Sequence, residues 1–120
     1  MFAFAIYDRG DANATEKLFV ARDRAGKKPF YFRCHGDEFE FASELKAFSR
    51  FDGVDMAALN HYLSFGYLPP DRSIVDGIAK LLPGHAGIYE LGKTFKTWCY
   101  WDLPDNHDTG LSGDELTNRA

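Results

Sequence analysis

The sequence predicts an α+β fold that consists mainly of antiparallel strands with two short helices. Three features favour this class. Short runs of alternating residues fill the first 42 positions, the connections between these runs are brief, and apolar residues return at helical spacing only later in the chain. Eleven phenylalanines among 120 residues also call for a large apolar interior.

Four strands are predicted before residue 43. The first, FAFAIYD at residues 2–8, is apolar on both alternating faces, so we expect it to be covered on both sides. A polar loop at 8–15 follows, with Gly10 and Asn13 as turn formers. KLFVARD, PFYFRC and EFEFA give the other three strands, and in the last of these the phenylalanines should point inward and the glutamates outward. Short connections favour a meander in which successive strands pair.

Two short helices should come next. Ser43 can cap a helix that runs from Glu44 to about Arg50. Asp55 is the N-cap candidate for the second helix, which should end at Gly66. The apolar residues of this second helix recur at helical spacing: Met56, Leu59, Tyr62 and Leu63.

The rest of the chain predicts extended structure and then a linker. The prolines of LPPDRS, at 68–73, favour extended chain. GIYEL and TFKTWCYW flank Gly92 and Lys93 and are typical of a hairpin. From Pro104 the composition becomes polar, so 104–120 is predicted to be a linker followed by the first turn of another helix.

Composition excludes several classes of function. A net charge of -4 argues against general nucleic-acid binding, which requires a basic surface. The opening MFAFAIY is too short to span a membrane and lacks the basic region of a signal peptide. Two cysteines are too few for a disulfide framework and indicate reduced thiols. We therefore expect a cytoplasmic protein with neither nucleic acid nor membrane as partner.

No residue type forms a catalytic or metal-binding pattern. Cys34 and Cys99 lie in aromatic strands, where a cysteine is usually a buried and inert small hydrophobe. His35 follows Cys34 directly, and neighbours on a strand point to opposite faces, which disfavours a Cys-His dyad. The histidines lack ligand spacing, and the acidic residues near the fourth strand are predicted to be its solvated face: Asp37, Glu38 and Glu40.

The stretch VARDRAGKKPFYF, at 20–32, raises the question of a phosphate-binding loop. A loop of that kind needs a second glycine, a Ser or Thr after the lysine, and a following helix, and this stretch has none of them. Two interpretations remain: a charged turn between strands, or a loop that faces a partner domain. In either case Arg22 and Asp23 are predicted to form a charge-assisted contact that fixes the loop.

Five motifs in series resemble the class II glutamine amidotransferase domain of glutamine-hydrolysing asparagine synthetases. MFAFAIYD at 1–8 resembles the family's GMFAFALWD, and ARDRAGKKPFYF at 21–32 is similar to ARDRxGxKPLYY. FASELKAF at 41–48 resembles FASExKAL. GYLPPDRSIVDGIAKLLPGH at 66–85 resembles GYxPxPxTIFxGIxKLPPGH, and YWDL at 100–103 is similar to the YWDL that closes the domain.

The resemblance implies the Ntn-hydrolase fold, αββα, in which helical layers cover two antiparallel sheets. Residues 1–103 would be the C-terminal half of the glutaminase domain, and 104–120 would lead into a synthetase domain. Family members use ATP and Mg²⁺ to transfer the amide nitrogen of glutamine to aspartate. Their nucleophile is an N-terminal cysteine whose own α-amine is the base.

This sequence lacks that cysteine and the family's glutamine-binding segments, so the resemblance transfers no catalytic, substrate-binding or metal-binding residue. We expect a fragment that is inactive alone and holds no cofactor. Its partners would be the missing N-terminal glutaminase half and the C-terminal synthetase domain. Four loop residues are predicted to be structural and to face the partner domain: Arg22, Asp23, Gly26 and Pro29.

Two other interpretations stay open. The chain could belong to another synthetase-like amidotransferase, such as a β-lactam synthetase or an enzyme of exopolysaccharide gene clusters. It could also be a small stand-alone β-rich interaction module, although bare strand edges and apolar faces would disfavour that.

Overall fold

Two antiparallel sheets, one α-helix and one turn of 3-10 helix make up the part of the chain that the computed structural model describes, residues 1–11 and 15–104. In chain order the elements are β1 (Ala3–Asp8), β2 (Lys17–Arg22), β3 (Tyr31–His35), β4 (Glu38–Ala42), the 3-10 turn (Leu45–Ala47), α1 (Met56–Phe65), β5 (Ala79–Lys80), β6 (His85–Glu90) and β7 (Lys96–Cys99).

The strands divide between two sheets. Sheet A has the order β1-β2-β6-β7 and sheet B the order β4-β3-β5, and every pair is antiparallel. The predicted pairing is confirmed for β1 with β2 and for β3 with β4. The continuous meander is wrong, because β2 takes β6 as its second neighbour and the loop after β2 carries the chain into sheet B.

The core lies between the facing surfaces of the two sheets. Val20 of β2, Phe30 before β3 and Leu81 after β5 are nearly inaccessible to solvent and form its centre. Burial of each side chain contributes about 2 kcal/mol. Phe95 closes the core from the β6–β7 connection, where its ring centroid lies 4.8 Å from that of Phe39 and 4.9 Å from that of Phe32.

The opposite face of sheet A carries a row of aromatic rings that we call the aromatic ladder: Phe2, Phe4, Phe19 and Trp98. Successive ring centroids lie 5.4, 6.1 and 6.1 Å apart. Phe4 is 40% exposed and Trp98 is 43% exposed, while Ile6 beside them on β1 is 55% exposed. The expectation that β1 is covered on both sides therefore holds only for its inner face among the described residues.

The second predicted helix is confirmed as α1. The Asp55 carboxylate accepts hydrogen bonds from the backbone N–H of Ala57 at 2.9 Å and of Ala58 at 3.0 Å. Gly66 ends the helix in the left-handed conformation, with φ of 79°, and its N–H donates to Tyr62 O at 2.7 Å. This is the glycine C-cap that the sequence indicates.

The first predicted helix, Glu44 to Arg50, is wrong. Only Leu45–Ala47 forms a helical turn, and no side chain caps it. Side chains of β3 and β4 instead form hydrogen bonds with the backbone groups that would have continued the helix. The Ser49 N–H donates to Glu40 Oε1 at 2.7 Å, and the Arg50 carbonyl accepts from Arg33 Nη1 at 2.7 Å.

The hairpin prediction is confirmed by β6 and β7, which pair around Gly92 with its φ of 73°. LPPDRS begins extended and then turns, since the Arg72 N–H donates to Pro69 O at 3.1 Å. The short strand β5 was not predicted. Asn13 and the linker and helix predicted at 104–120, Pro104 excepted, lie outside the described residues. Within the described ranges, no helix has the length and apolar content needed to cross a membrane.

Gly84 gives a test of this packing. Replacing Gly84 by Ala would place a Cβ 2.2 Å from the Trp101 carbonyl oxygen, at a φ of 65°. We predict that Gly84→Ala lowers the free energy of unfolding by about 3 kcal/mol, as a clash and left-handed strain combine. Denaturant titration measures this change.

Gly36→Ala is the matched control. Gly36 has a similar φ of 59° in the β3–β4 turn, but nothing lies within 4 Å of a Cβ built there. Its cost should be about 1 kcal/mol, the backbone strain alone. Equal losses in the two variants would contradict the proposed close approach of Gly84 to Trp101.

Candidate functional site

The loop between β2 and β3, residues 22–29, is the candidate site, and we call it the anchor loop. Asp23 O accepts from the Gly26 N–H at 2.9 Å, which closes a tight turn. Gly26 has a φ of 62°, and a Cβ at this position would lie 2.6 Å from the Pro83 ring. Glycine is therefore required here both by the backbone conformation and by the close approach of a second segment.

Arg22 binds three backbone carbonyls from within the fold. Its guanidinium donates to Lys28 O at 2.8 Å, to Gly26 O at 2.7 Å and to Leu81 O. The side chain is buried, and burial lowers the pKa of Arg22, an effect that the nearby Asp23 opposes. A planar guanidinium is suited to this task because its N–H groups point in fixed and different directions.

The Asp23 carboxylate accepts hydrogen bonds from three backbone N–H groups. The donors are those of Lys27 at 3.1 Å, of Lys28 at 3.2 Å and of Phe2 at 3.3 Å. Burial acts to raise the pKa of Asp23, but the three backbone donors outweigh it and hold that pKa below the ordinary value. The Asp23 backbone also binds Phe2 O and the Gly84 N–H, so one residue joins β1, the loop and the turn before β6.

The predicted charge-assisted contact between Arg22 and Asp23 is not among the hydrogen bonds or ion pairs of the described residues. The two side chains fix the loop separately, because each is satisfied by backbone groups of the opposite polarity. The structural and interface role of Arg22, Asp23 and Gly26 stays a prediction, which the backbone hydrogen bonds of the two charged side chains and the positive φ of Gly26 favour. Pro29 lies on the exposed side of the loop, immediately before the buried Phe30.

A third segment completes this end of the sandwich. The Tyr100 hydroxyl donates to Arg22 O at 2.7 Å, and its backbone N–H donates to Gly84 O at 2.9 Å. Arg24 lies over the Trp101 ring at 5.6 Å. Analysis of the sequence did not identify Leu81, Gly84 or Tyr100 as partners of the loop, because each is distant from it along the chain.

A cleft of about 480 Å³ opens beside the anchor loop. Its lining includes Lys28 and Pro29 from the loop, Met1 and Phe2 before β1, and Ser43 and Glu44 after β4. Its wall thus combines apolar surface with one cation, one carboxylate and one hydroxyl. The described lining has neither a cysteine nor a histidine, so it can bind and position a group but offers no thiol or imidazole for catalysis.

Both cysteines are exposed, contrary to the predicted burial. Cys34 lies beyond the two residues of β3 that pair with β5, and Cys99 is the last residue of the edge strand β7. Partial desolvation raises the pKa of the Cys34 thiol, which disfavours the nucleophilic thiolate. Cys99 Sγ donates to Trp101 O at 3.1 Å. Among the described residues, no group of three His, Cys, Asp or Glu side chains is placed to hold a metal ion.

Glu40 does not belong to a solvated strand face, as the sequence predicted. It pairs with Arg33, a buried guanidinium that also bonds the Arg50 carbonyl. The hydrogen bond from the Ser49 N–H is the largest influence that lowers the pKa of Glu40. The carboxylate therefore holds the segment after β4 against sheet B and is not free for acid-base work.

Arg22→Lys tests the anchor loop. A lysine ammonium cannot reach all three carbonyls, so at least one buried acceptor loses its donor. We predict a loss of about 2–4 kcal/mol in the free energy of unfolding, measured by denaturant titration. Arg24→Lys, at an exposed position of the same loop, should change stability by less than about 0.5 kcal/mol. A comparable loss in both variants would contradict the role assigned to Arg22.

The lowered pKa of Asp23 predicts that the stability of the protein decreases at acidic pH. Its folded-state pKa is depressed, so its stabilising contribution is present above the unfolded-state pKa of about 4 and is lost as pH falls through the lower folded value. We expect the stability of the protein to decline below about pH 4 and Asp23→Asn to remove part of that decline. Denaturation curves collected across this pH range measure the decline in stability. If the stability of Asp23→Asn falls with pH as steeply as that of the unaltered protein, the prediction is refuted.

Comparison with known protein families matches residues 1–101 to the family described as glutamine amidotransferase domain. The matched range includes the anchor loop and both sheets, and it ends beside Tyr100.

Curated relatives agree with this match. The chain is 34% identical over 112 residues to a Methanocaldococcus jannaschii protein named as asparagine synthetase (glutamine-hydrolyzing) 2, covering 88% of the chain and 21% of that relative. It is 32% identical to asparagine synthetase (glutamine-hydrolyzing) 3 of Bacillus subtilis, covering 98% of the chain and 19% of the relative. It is also 29% identical to amidase chry2 of Gibberella zeae, covering 97% of the chain and 17% of the relative.

The chain thus spans about a fifth of the length of the curated relatives that it matches. The family match covers most of the chain. The chain belongs to the glutamine amidotransferase domain family, and its relatives include proteins named as glutamine-hydrolysing asparagine synthetases.

Proposed function

We propose that this chain is the C-terminal half of the glutaminase domain of an asparagine-synthetase-type amidotransferase, a cytoplasmic enzyme. The whole enzyme would release nitrogen from the amide of glutamine and transfer it to aspartate in an ATP-dependent reaction. The glutaminase domain would have the class II, Ntn-hydrolase architecture. The observation that carries this proposal is the match of residues 1–101 to the glutamine amidotransferase family, supported by relatives named as asparagine synthetases.

The aromatic ladder supports the proposal that this chain is only one part of a glutaminase domain. One face of sheet A packs on sheet B, while the other presents a contiguous row of half-exposed rings. Apolar surface of this extent usually marks an interface. In the proposed enzyme, the helical layer of an αββα domain, supplied by polypeptide outside residues 1–103, covers this face. The same observation disfavours a stand-alone interaction module.

Within this enzyme the anchor loop has a positioning role. Arg22 and Asp23 hold the beginning of β1, the turn at Gly84 and the segment at Tyr100 in one rigid unit. The cleft beside the loop lies between Phe2 and Pro29, where the chain can present a defined surface to the synthetase domain. Residues 104–120 are the proposed connection to that domain.

The described residues supply no chemical step of their own. Neither Cys34 nor Cys99 carries an α-amine, and neither is hydrogen-bonded to a base. ATP and Mg²⁺ would provide the activation of aspartate in the proposed enzyme. Within the described ranges no cluster of three or more Asp, Glu, His or Cys side chains is placed to hold a metal ion, which supports a location elsewhere in the proposed enzyme. We therefore assign both ligands to the synthetase domain.

A second candidate differs only in the acceptor of the nitrogen. A relative that matches 97% of the chain is named as an amidase, amidase chry2, and not as an asparagine synthetase, and this supports an acceptor other than aspartate as the second candidate. The anchor loop and both sheets would have the same role in such an enzyme.

The decisive experiment uses the proposed whole enzyme, of which this chain would be a part. With glutamine, ATP, Mg²⁺ and aspartate it should form asparagine, glutamate, AMP and pyrophosphate, and chromatography of the products measures the first three. Glutamate without asparagine, together with product from another acceptor, would support the second candidate. No glutaminase activity under any condition would overturn the proposal.

The 120-residue chain alone should release no glutamate from glutamine above the rate of a buffer control. The reason is that its thiols lack the activating α-amine that the proposed mechanism requires. A coupled glutamate dehydrogenase assay measures the rate. Turnover that survives in the double variant Cys34→Ala and Cys99→Ala would indicate a contaminant, whereas turnover abolished by it would contradict the predicted inactivity.

The aromatic ladder predicts self-association of the isolated chain. We expect oligomers on a sizing column and strong binding of an apolar dye, because Phe4 and Trp98 present apolar surface. The double variant Phe4→Thr and Trp98→Thr, which keeps β-propensity, should reduce both signals. Tyr62→Thr, at a residue 49% exposed on α1, is the control. Equal effects of the ladder and control variants would argue against the ladder as the associating surface.

A further inference from the structure

The anchor loop presents three cations that have no ion-pair partner among the described residues. Arg24, Lys27 and Lys28 are exposed, and none of the ion pairs in the described part of the chain includes them. Arg22 and Asp23, which precede them, are buried and carry opposite charges. The exposed surface of the loop is therefore positively charged.

Two carboxylates of this region already have other partners. Asp23 accepts hydrogen bonds from three backbone N–H groups. Glu44, which lines the same cleft as Lys28, pairs with Lys46 at 2.9 Å. Water alone can solvate exposed cations, but the distribution of charge along the chain points to a specific anionic partner.

The negative charge of the protein is concentrated in residues 102–120. This segment holds five of the 18 acidic residues and one of the 14 basic residues, which accounts for the whole net charge of -4. Residues 1–101 are therefore neutral overall. The five acidic residues of the segment are Asp102, Asp105, Asp108, Asp114 and Glu115.

This acidic segment begins beside the anchor loop. The Arg24 guanidinium lies over the Trp101 ring at 5.6 Å. The backbone N–H groups of Tyr100 and Trp101 donate to Gly84 O at 2.9 and 3.2 Å, and these bonds fix the chain just before the segment. Residues that follow Trp101 thus start next to a cation of the loop.

Asp105 and Asp108 are the acidic residues that can meet the loop cations. The Asp102 carboxylate accepts a hydrogen bond from the next backbone N–H at 2.7 Å. An extended chain covers at most about 20 Å from Asp102 to Asp108, whereas Arg24 and Lys28 are at most about 14 Å apart. Both acidic residues are therefore within reach of the whole loop.

We propose that Asp105 and Asp108 bind the three exposed cations, so that residues 105–108 lie along the anchor loop. The partner of this surface is a segment of the same chain. Each exposed ion pair contributes little, but neighbouring pairs act together, and salt weakens all of them. The inference concerns this chain alone and does not depend on the activity of the proposed enzyme, in which the contact would fix the start of the connection to the synthetase domain.

Carbodiimide crosslinking of the 120-residue chain tests this contact, because the reagent joins a lysine amine to a carboxylate only where the two touch. Mass spectrometry of the digested monomer should show links from Lys27 and Lys28 to Asp105 and Asp108, which we call the loop links. Their yield should fall at least about threefold between about 0.05 and 0.5 M salt, because the screening length shortens about threefold.

Two variants separate a specific contact from general attraction. Arg24→Gln removes a cation that the reagent cannot link, and it should lower the yield of the loop links about threefold. Lys96→Gln removes an exposed cation outside the loop and should leave that yield unchanged. The link between Lys17 and Glu90, whose charged groups lie 3.8 Å apart on paired strands, shows that the reagent is active in each sample.

An equal mixture of ¹⁵N-labelled and unlabelled chain identifies the partner of the loop, since only links between two copies join peptides of different isotope. Loop links within one copy support the proposal. Mainly mixed-isotope links would assign the surface to a second copy and overturn it. Absence of the loop links, a yield insensitive to salt, or equal losses in Arg24→Gln and Lys96→Gln would also overturn it.

Discussion

The contact between the Arg22 guanidinium and three backbone carbonyls is the constraint on which the rest of the structure depends. Two of these carbonyls belong to the anchor loop, and the third, Leu81 O, belongs to the segment between β5 and β6. Because β2 lies in sheet A and β5 lies in sheet B, this one side chain joins the two sheets at their common end. The Asp23 carboxylate accepts hydrogen bonds from backbone N–H groups, which a cation cannot bind. The two side chains fix the loop through opposite polarity toward the backbone, without a direct hydrogen bond between them among the described contacts.

Much of the fold follows from local patterns in the sequence. The alternation in KLFVARD and EFEFA predicts their strands, Asp55 and Gly66 predict both ends of α1, and Gly92 predicts the β6–β7 hairpin. These elements are predictable because the residues that decide each one lie within a few positions of it. The α+β class with antiparallel strands follows for the same reason.

The errors concern partners that are distant in sequence. The short connection after β2 suggests continued pairing, but Arg22 binds Leu81 O, 59 positions away, and so directs the chain into the second sheet. The helix predicted at 44–50 has adequate local signals, but Glu40 and Arg33 take its backbone groups. Glu40 alternates like a solvent-facing residue, although it neutralises a buried arginine. The anchor loop was identified by its motif, whereas its bonding partners required the structure.

The two faces of sheet A connect the fold to the proposed function. The inner face is closed by Phe39, Tyr89 and Phe95, while the aromatic ladder leaves the outer face apolar and accessible. Hydrogen–deuterium exchange of β1 and β7, compared between the 120-residue chain and the longer protein, tests this account most directly. Amides of both strands should exchange much more slowly in the longer protein, because the proposal places further polypeptide over this face. Equal exchange in the two samples, with sheet B equally protected in both, would contradict the account.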